Sequence, residues 1–195
     1  EGYHLDSILD LCAAPGGKTL GIAHNYPSAL VIGGDLRKNR VRLLSLTLRK
    51  SQVSRVYPVQ YDAVRQLPFL KTFSGILVDA PCSGLGVLRR NPDIRWRCSP
   101  DTLASYADIQ LRMLRQAARA LRPGGLLVYS TCSSEPEENE ITVNNFLAEH
   151  PAFEIVRPQS PHLDDMIDRS GFFRTLPFQH NLDAFFAALL RSKEL

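Results

Sequence analysis

The 195-residue sequence carries little excess charge, since 23 Lys and Arg against 20 Asp and Glu leave +3 with histidine neutral. A balance that small does not by itself argue for a nucleic-acid partner; only local clustering of charge could. Long apolar runs are missing too, residues 124–132 being one of the longest, far short of the roughly 20 residues a bilayer demands. No charged-then-apolar leader with a small-residue cleavage site opens the sequence, which leaves secretion without support. Cysteine is scarce. Cys12, Cys82, Cys98 and Cys132 lie 70, 16 and 34 residues apart, which matches no zinc-ligand spacing and is too sparse for a disulfide scaffold. No metal is expected, and four free thiols point to a reducing compartment. Repeats, low-complexity tracts and Gly/Ser linkers are absent, so one domain is expected. With 44% hydrophobic and 22% charged residues the chain can bury a proper core, which excludes intrinsic disorder.

What is present alternates between strand and helix. Residues 7–12 read as a short buried strand running into a small-residue turn and then a helix over about 20–25. Residues 29–34 form a second strand closed by Asp35, and 37–50 a helix with Val41, Leu44 and Leu48 at helical spacing. A third strand spans 53–59. Residues 75–79 and 126–131 are continuous apolar runs, as in strands buried on both faces of a parallel sheet. Between them, Ser99 is an N-cap candidate followed by Pro100, and a helix continues to Leu121, with Pro123-Gly124-Gly125 as its stop. A last helix is expected from Ser134, with Glu137 three residues on completing a capping box. Residues 153–156 and 184–190 read as two more strands. The alternation predicts an α/β, Rossmann-like, doubly wound sheet with its ligand at the carboxyl ends of the strands.

Those ends carry the chemistry. The loop after the first strand is no Walker loop, because Cys12 stands where its leading glycine belongs, and it holds no G-x-G-x-x-G. It does place Gly16 and Gly17 at a helix start, where backbone N–H groups can approach an anionic ligand closely. Asp35, eighteen residues beyond Gly17, stands where an acid bonds a ribose diol in nucleotide-binding sheets. An adenosine ligand bearing a carboxylate in place of a pyrophosphate, S-adenosylmethionine, fits; an ordinary tight turn and a surface Asp remain the alternative. The fourth strand ends in DAPCSG (79–84) and the fifth in STCS (130–133), so two parallel neighbours would bring Cys82 and Cys132 to one mouth. Both lie beyond their apolar runs, where a thiol lowered in pKa by nearby dipoles or cations is a potent nucleophile. Cys12, inside the first strand, reads instead as a buried small hydrophobe, and Cys98, beside a helix cap, as a spectator.

LCAAPGGKT (11–19), DAPCSG (79–84) and YSTC (129–132) followed by EENE (137–140) together resemble the NOL1/NOP2/Sun family of RNA cytosine-C5 methyltransferases. The segment RRNPDIRW (89–96) is most similar to the bacterial Sun/Fmu, RsmB-type branch, which modifies small-subunit ribosomal RNA. RTLP (174–177), His180 and FFA (185–187) are similar to the family's last strand region. The resemblance covers nearly the whole chain. It implies a class I methyltransferase fold with a seven-stranded, mostly parallel sheet and an antiparallel last strand. It also implies that residues 1–195 form a single catalytic domain, the family's N-terminal RNA-binding part lying outside it. The family usually has Asp-Gly-Phe-Phe near its end; here Ala184 replaces the glycine, which should alter local packing only.

By the same resemblance, Cys12, Ala13, Ala14, Pro15, Gly16, Gly17 and Lys18 would cradle the methionine part of S-adenosylmethionine. Asp35 would hold the ribose hydroxyls, Asp62 would lie beside the adenine amino group, and Asp79 would bridge cofactor and base. Cys132 matches the nucleophile and Cys82 the second cysteine that releases product. Cytosine carbon-5 is a poor nucleophile, so Cys132 would first add to carbon-6 while Asp79 neutralises charge at N3. The base must leave any stack, which favours single-stranded or loop RNA. Arg89, Arg90, Arg95 and Arg97, with Trp96 among them, suit phosphate contacts and one stacking contact; a solvated loop with Trp96 packed inward is the alternative. Lys38, Arg40 and Arg42 read as a solvated helix face, with Arg40, one turn beyond Asp35, within reach of the cofactor side. The expectation is therefore a cytoplasmic, monomeric RNA methyltransferase acting on 16S rRNA without metal or membrane. A tRNA acceptor and a non-catalytic RNA-binding scaffold are its rivals.

Overall fold

A computed structural model describes residues 3–70, 72–158 and 160–193. Strand β1 is Ser7–Asp10, helix α1 Gly17–Asn25, β2 Leu30–Asp35, α2 Lys38–Lys50, β3 Val56–Gln60 and β4 Phe73–Asp79. Helix α3 follows at Pro100–Ala120, then β5 Leu121–Thr131, α4 Glu140–Glu149, β6 Phe153–Ile155, β7 Phe173–Thr175, α5 Pro177–His180 and β8 Phe185–Ser192. The strands form one sheet in the order β3-β2-β1-β4-β5-β8-β6, with β7 added to β8. Strands β1 to β5 pair in parallel, and β8 runs antiparallel to β5, β6 and β7. The doubly wound class and the antiparallel last strand are as expected. The sheet has eight strands rather than seven because the three residues of β7, too short to carry a periodic signal, pair with β8.

Both faces of the sheet are covered, and successive residues of β1 show how. Ile8 packs with Val31 and with Ile22 of α1. Leu9, whose side chain points the other way, joins the main core with Ile76, Leu127, Leu114 of α3 and Phe146 of α4. Along β4 and β5, Phe73, Val78, Leu127 and Tyr129 are completely buried.

The boundaries hold three corrections. Strand β1 ends at Asp10, so Cys12 sits in the turn beyond it rather than inside the strand. Helix α3 begins as read, with Ser99 Oγ accepting from the Thr102 N–H at 3.2 Å, but Pro123-Gly124-Gly125 does not follow it as a loop. The chain is extended from Leu121, and these three residues lie within β5, where the pairing with β4 shifts register between Phe73 and Gly75. The capping box at Ser134 does not form. Pro136–Glu138 makes a separate 3-10 turn and α4 starts only at Glu140. The side chains near that start are taken by tertiary contacts instead: Asn139 accepts from Thr131 Oγ1 at 2.6 Å and donates to the Ser133 carbonyl at 3.0 Å. Among the described residues no helix is long and apolar enough to cross a membrane.

Candidate active site

The loop after β1 turns on Gly16, whose φ of 114° lies in the left-handed region that glycine occupies without strain. A side chain there would also meet Leu44 Cδ1 at 3.0 Å. Helix α1 starts at the next residue, so its free N–H groups open onto a cavity of about 300 Å³. Cys12, Ala13, Ala14, Pro15, Gly17, Lys18 and Asp79 line it, while Gly16 makes the turn without lining the cavity. A larger cleft of about 600 Å³ lies at the opposite end of the sheet, around Ser74, Arg122 and Arg191, and contains neither motif nor thiol.

The same cavity is lined by Asp10, which the sequence reading did not single out. It is 1% exposed, its Oδ2 accepts from Thr19 Oγ1 at 2.7 Å, and its Oδ1 has no partner among the described residues. Burial, with the Asp79 charge adding to it, raises its carboxyl from 3.8 to about 6 against the Thr19 hydrogen bond. An acid inside the apolar run 7–12 was the available signal. Burial likewise pushes the Cys12 thiol far above its ordinary range, which makes it inert at neutral pH.

Asp35 closes β2, buried, with its Oδ2 held by Arg40 Nε at 2.9 Å. Arg40 also donates to the Ala14 carbonyl, tying α2 to the glycine turn, so it is no free member of a solvated face. Asp62 lies just beyond β3, accepting from the Val64 N–H at 3.1 Å and pairing with Arg65 at 3.2 Å. Beside them Tyr61 is a second group that sequence reasoning missed. A Cβ at Gly34 would fall 2.0 Å from its ring, so glycine is what admits that ring against β2.

Strands β4 and β5 are in register with Asp79 opposite Ser130, which brings the two cysteine loops together. Cys82 Sγ and Cys132 Sγ stand 3.0 Å apart, both half-buried. The hydrogen bond between them splits their titration. Either thiol can donate; with Cys82 as the donor, Cys132 is lowered below the ordinary thiol value, and Cys82 is raised by the bond and by burial. That direction favours Cys132 over Cys82 as the thiolate. Asp79 joins this pair to the glycine loop: Lys18 Nζ donates to its Oδ2 at 2.7 Å and Ser130 Oγ to its Oδ1 at 2.8 Å. The Pro-Cys loop is fixed by Gly86, whose N–H donates to the Cys132 carbonyl at 3.0 Å and whose carbonyl accepts from the Ala184 N–H at 2.9 Å. Any Cβ at Gly86 would lie 2.1 Å from the Ala184 carbonyl oxygen.

The basic segment follows this loop. Trp96 is 77% exposed rather than packed inward, with the Arg95 guanidinium 4.8 Å from its ring centroid. Arg89 and Arg97 are exposed, Arg89 resting against Asn181 Oδ1 at 3.4 Å. Arg90 is different, since its Nε pairs at 2.8 Å with Asp183, whose side chain is only 4% exposed. Among the described residues no group of three or more His, Cys, Asp and Glu is placed to hold a metal ion.

This strand order, with a glycine turn after β1 and an acid closing β2, is the Rossmann-like fold of methyltransferases. A SAM dependent methyltransferase from Aquifex aeolicus, 13% identical, shares the fold with a TM-score of 0.59 over 96% of this chain and 82% of that one. NSun6 from Pyrococcus horikoshii, solved with SFG, matches with a TM-score of 0.83 at 32% identity, over 97% of this chain and 48% of that one. The chain is 37% identical over 194 residues to the probable ribosomal RNA small subunit methyltransferase B of Bacillus subtilis, covering 96% of this chain and 43% of the relative. Against the ribosomal RNA small subunit methyltransferase B of Vibrio cholerae it is 35% identical, over 94% of this chain and 41% of that one. The chain belongs to the 16S rRNA methyltransferase RsmB/F family, whose family model matches residues 3–191. It spans less than half the length of these curated relatives.

Proposed function

We propose that residues 1–195 form a single S-adenosylmethionine-dependent catalytic domain that methylates carbon-5 of a cytosine in RNA, 16S rRNA being the substrate. The observation that carries this reading is the thiol pair. Two cysteines from adjacent parallel strands, 3.0 Å apart, share one mouth with the glycine-turn cavity through Asp79. The relatives' names favour small-subunit rRNA over tRNA. A cytoplasmic monomer working without metal completes the reading.

The cavity residues fit the cofactor. The unpartnered Asp10 Oδ1 is an acceptor for an ammonium group, the α1 N-terminus and Lys18 suit a carboxylate, and Asp35 suits ribose hydroxyls. When bound, S-adenosylmethionine supplies the electrophilic methyl that carbon-5 takes up. The chain's own residues do the rest. Cys132 thiolate adds to carbon-6 of the extruded base, making carbon-5 nucleophilic. Asp79, as a carboxylic acid or through a hydrogen bond, answers the charge that grows at N3. Once Cys132 is bonded to carbon, it no longer accepts from Cys82, and the largest cause holding the Cys82 proton is gone. Cys82, having released its own proton to solvent, then takes the carbon-5 proton as base or relays it, and the electron pair left behind expels Cys132 as thiolate. Exposed Arg89, Arg95 and Arg97 hold RNA phosphates, with Trp96 as a stacking surface.

One denaturing gel tests the assignment, with each mutant incubated with cofactor and rRNA. Cys132→Ala should neither methylate nor capture RNA. Cys82→Ala should transfer the methyl group and stall as a covalent protein–RNA adduct. The reverse pattern would exchange the two roles, and no adduct in either mutant, with both still folded, would remove covalent catalysis. A titration showing no cofactor binding would leave an RNA-binding scaffold.

A further inference from the structure

Glu138 is fully buried, yet among the described residues it forms no ion pair. Its charge is compensated by hydrogen bonds alone. Oε1 accepts from the Ser83 N–H at 2.8 Å and from Gln110 Nε2 at 3.1 Å, while Oε2 accepts from the hydroxyls of Ser83 and Ser133. Its backbone carbonyl accepts from the Tyr129 hydroxyl. Gln110 in turn donates to the Pro81 carbonyl at 3.0 Å. The pattern has a direction. Ser83 directly follows Cys82, and Ser133 directly follows Cys132, so one carboxylate grips the residue next to each thiol. Pro81, on the other side of Cys82, is held by the same network.

A buried carboxylate with no cation beside it is expensive to desolvate, and packing alone would be served better by an apolar side chain. What the carboxylate alone provides is several acceptor sites converging on two separate loops. We infer that Glu138 is a positioning residue whose carboxylate fixes the separation of Cys82 and Cys132. This rests on the roles proposed for the two thiols, but its test does not. A hydrogen bond between the two thiols requires that separation, and with Cys82 as its donor the bond favours the Cys132 thiolate over that of Cys82.

Besides Cys82, the charges that act on Cys132 are those of Asp79 and Glu138, and Glu138 in turn acts on Tyr129 and Cys98. As an anion Glu138 opposes ionisation of Cys132 directly, while as a clamp it favours ionisation through Cys82. Its removal therefore has opposite outcomes under the two roles. The test is the pH dependence of iodoacetamide alkylation at Cys132 without RNA or cofactor, followed by mass spectrometry of the Cys132 peptide so that Cys12 and Cys98 do not intrude. If Glu138 positions the pair, Glu138→Ala should raise the alkylation midpoint by about one pH unit, the scale of a single hydrogen bond to a charged group. Cys82→Ala should raise it similarly, and the double variant no further. Ser133→Ala, which removes one donor and leaves the carboxylate its Ser83 and Gln110 donors, should move the midpoint in the same direction by less, and covers the case in which Glu138→Ala does not fold. A midpoint that falls or stays still in the folded variants would show Glu138 to be only a neighbouring charge or a packing element. Because no methylation is read, that result is separate from failure of the covalent mechanism, which the RNA-adduct gel reports.

Discussion

Replacing Asp10 with asparagine should make the cofactor-free protein more stable at neutral pH, and only there. The carboxyl is buried, one oxygen has no partner, and burial raises its pKa from 3.8 to about 6. An acid with a raised folded-state pKa is destabilising wherever it is ionised. Below about pH 4 both folded and unfolded states hold the proton, and nothing is lost. Between about 4 and 6 the unfolded chain releases its proton first, so stability falls as pH rises; above 6 the whole penalty is present. At about 1.4 kcal/mol per pH unit that penalty is about 3 kcal/mol. Asparagine keeps an acceptor for Thr19 but leaves its amide short of a partner, which takes back about 1 kcal/mol. A net gain of about 2 kcal/mol corresponds to a rise of about 4–8 °C in a domain of this size. Thermal unfolding followed by circular dichroism at pH 8 and pH 4.5 should show this gap at the first pH and its loss at the second. A gap of equal size at both, or a variant less stable than wild type at pH 8, would mean that Asp10 is not a strained buried anion. If the carboxylate serves a ligand ammonium, the stabilised variant should also bind S-adenosylmethionine more weakly, as expected where a site is built at the expense of stability.

Asp35→Ala should weaken S-adenosylmethionine binding by about 1.5–3 kcal/mol, read by calorimetry, since it removes a charged acceptor and frees Arg40; unchanged affinity would take Asp35 out of the site. Arg90→Ala should lower the urea midpoint by an amount equivalent to about 1–2 kcal/mol, because it strands the buried Asp183 while Arg90 itself is mostly exposed. Arg95→Ala, with no carboxylate partner among the described residues, should stay within about 0.5 kcal/mol of wild type. Replacing Arg89 and Arg97 together should flatten the log–log salt dependence of RNA binding by about 0.7 for each single-strand phosphate that is no longer neutralised, at unchanged stability; an unaltered slope would make this loop a bystander.

The sheet was legible because its signals are local. Continuous apolar runs gave β4 and the second half of β5, and their shared direction sufficed to place Cys82 beside Cys132. What escaped was set by partners distant in sequence. Glu138 reads as one acid in an exposed EENE start to a helix, and nothing local says that it turns inward to Ser83 and Gln110. Arg90 looks equivalent to Arg89, and only Asp183, ninety-three residues on, separates them. The capping box did not form either: at the start of α4 Asn139 is held by Thr131 of β5 and by the Ser133 carbonyl just beyond it, while Ser134 donates to Glu135. Strand β7 had too few residues to show a period, and Pro123-Gly124-Gly125 marked an irregularity within a strand rather than an end.

Asp79 has a special place in this arrangement because it belongs to both halves of the site. Its Oδ2 faces Lys18 in the glycine loop, while its Oδ1 faces Ser130, two residues before Cys132. The parallel register that sets Asp79 opposite Ser130 also brings the chains that continue beyond them, one to Cys82 and one to Cys132, out of the sheet together. A glycine loop and a thiol pair built by separate segments thus meet at one carboxylate on the strand between β1 and β5. Removing that carboxylate disturbs both halves at once, so loss of activity in an Asp79 variant would not apportion its roles. Ser130→Ala and Lys18→Met divide them. The first releases the oxygen on the thiol side and should act on the chemical step, whereas the second releases the oxygen on the cofactor side and should act on cofactor affinity. The sheet makes that division possible because one contact comes from β5 and the other from the helix that follows β1, on the opposite side of β4.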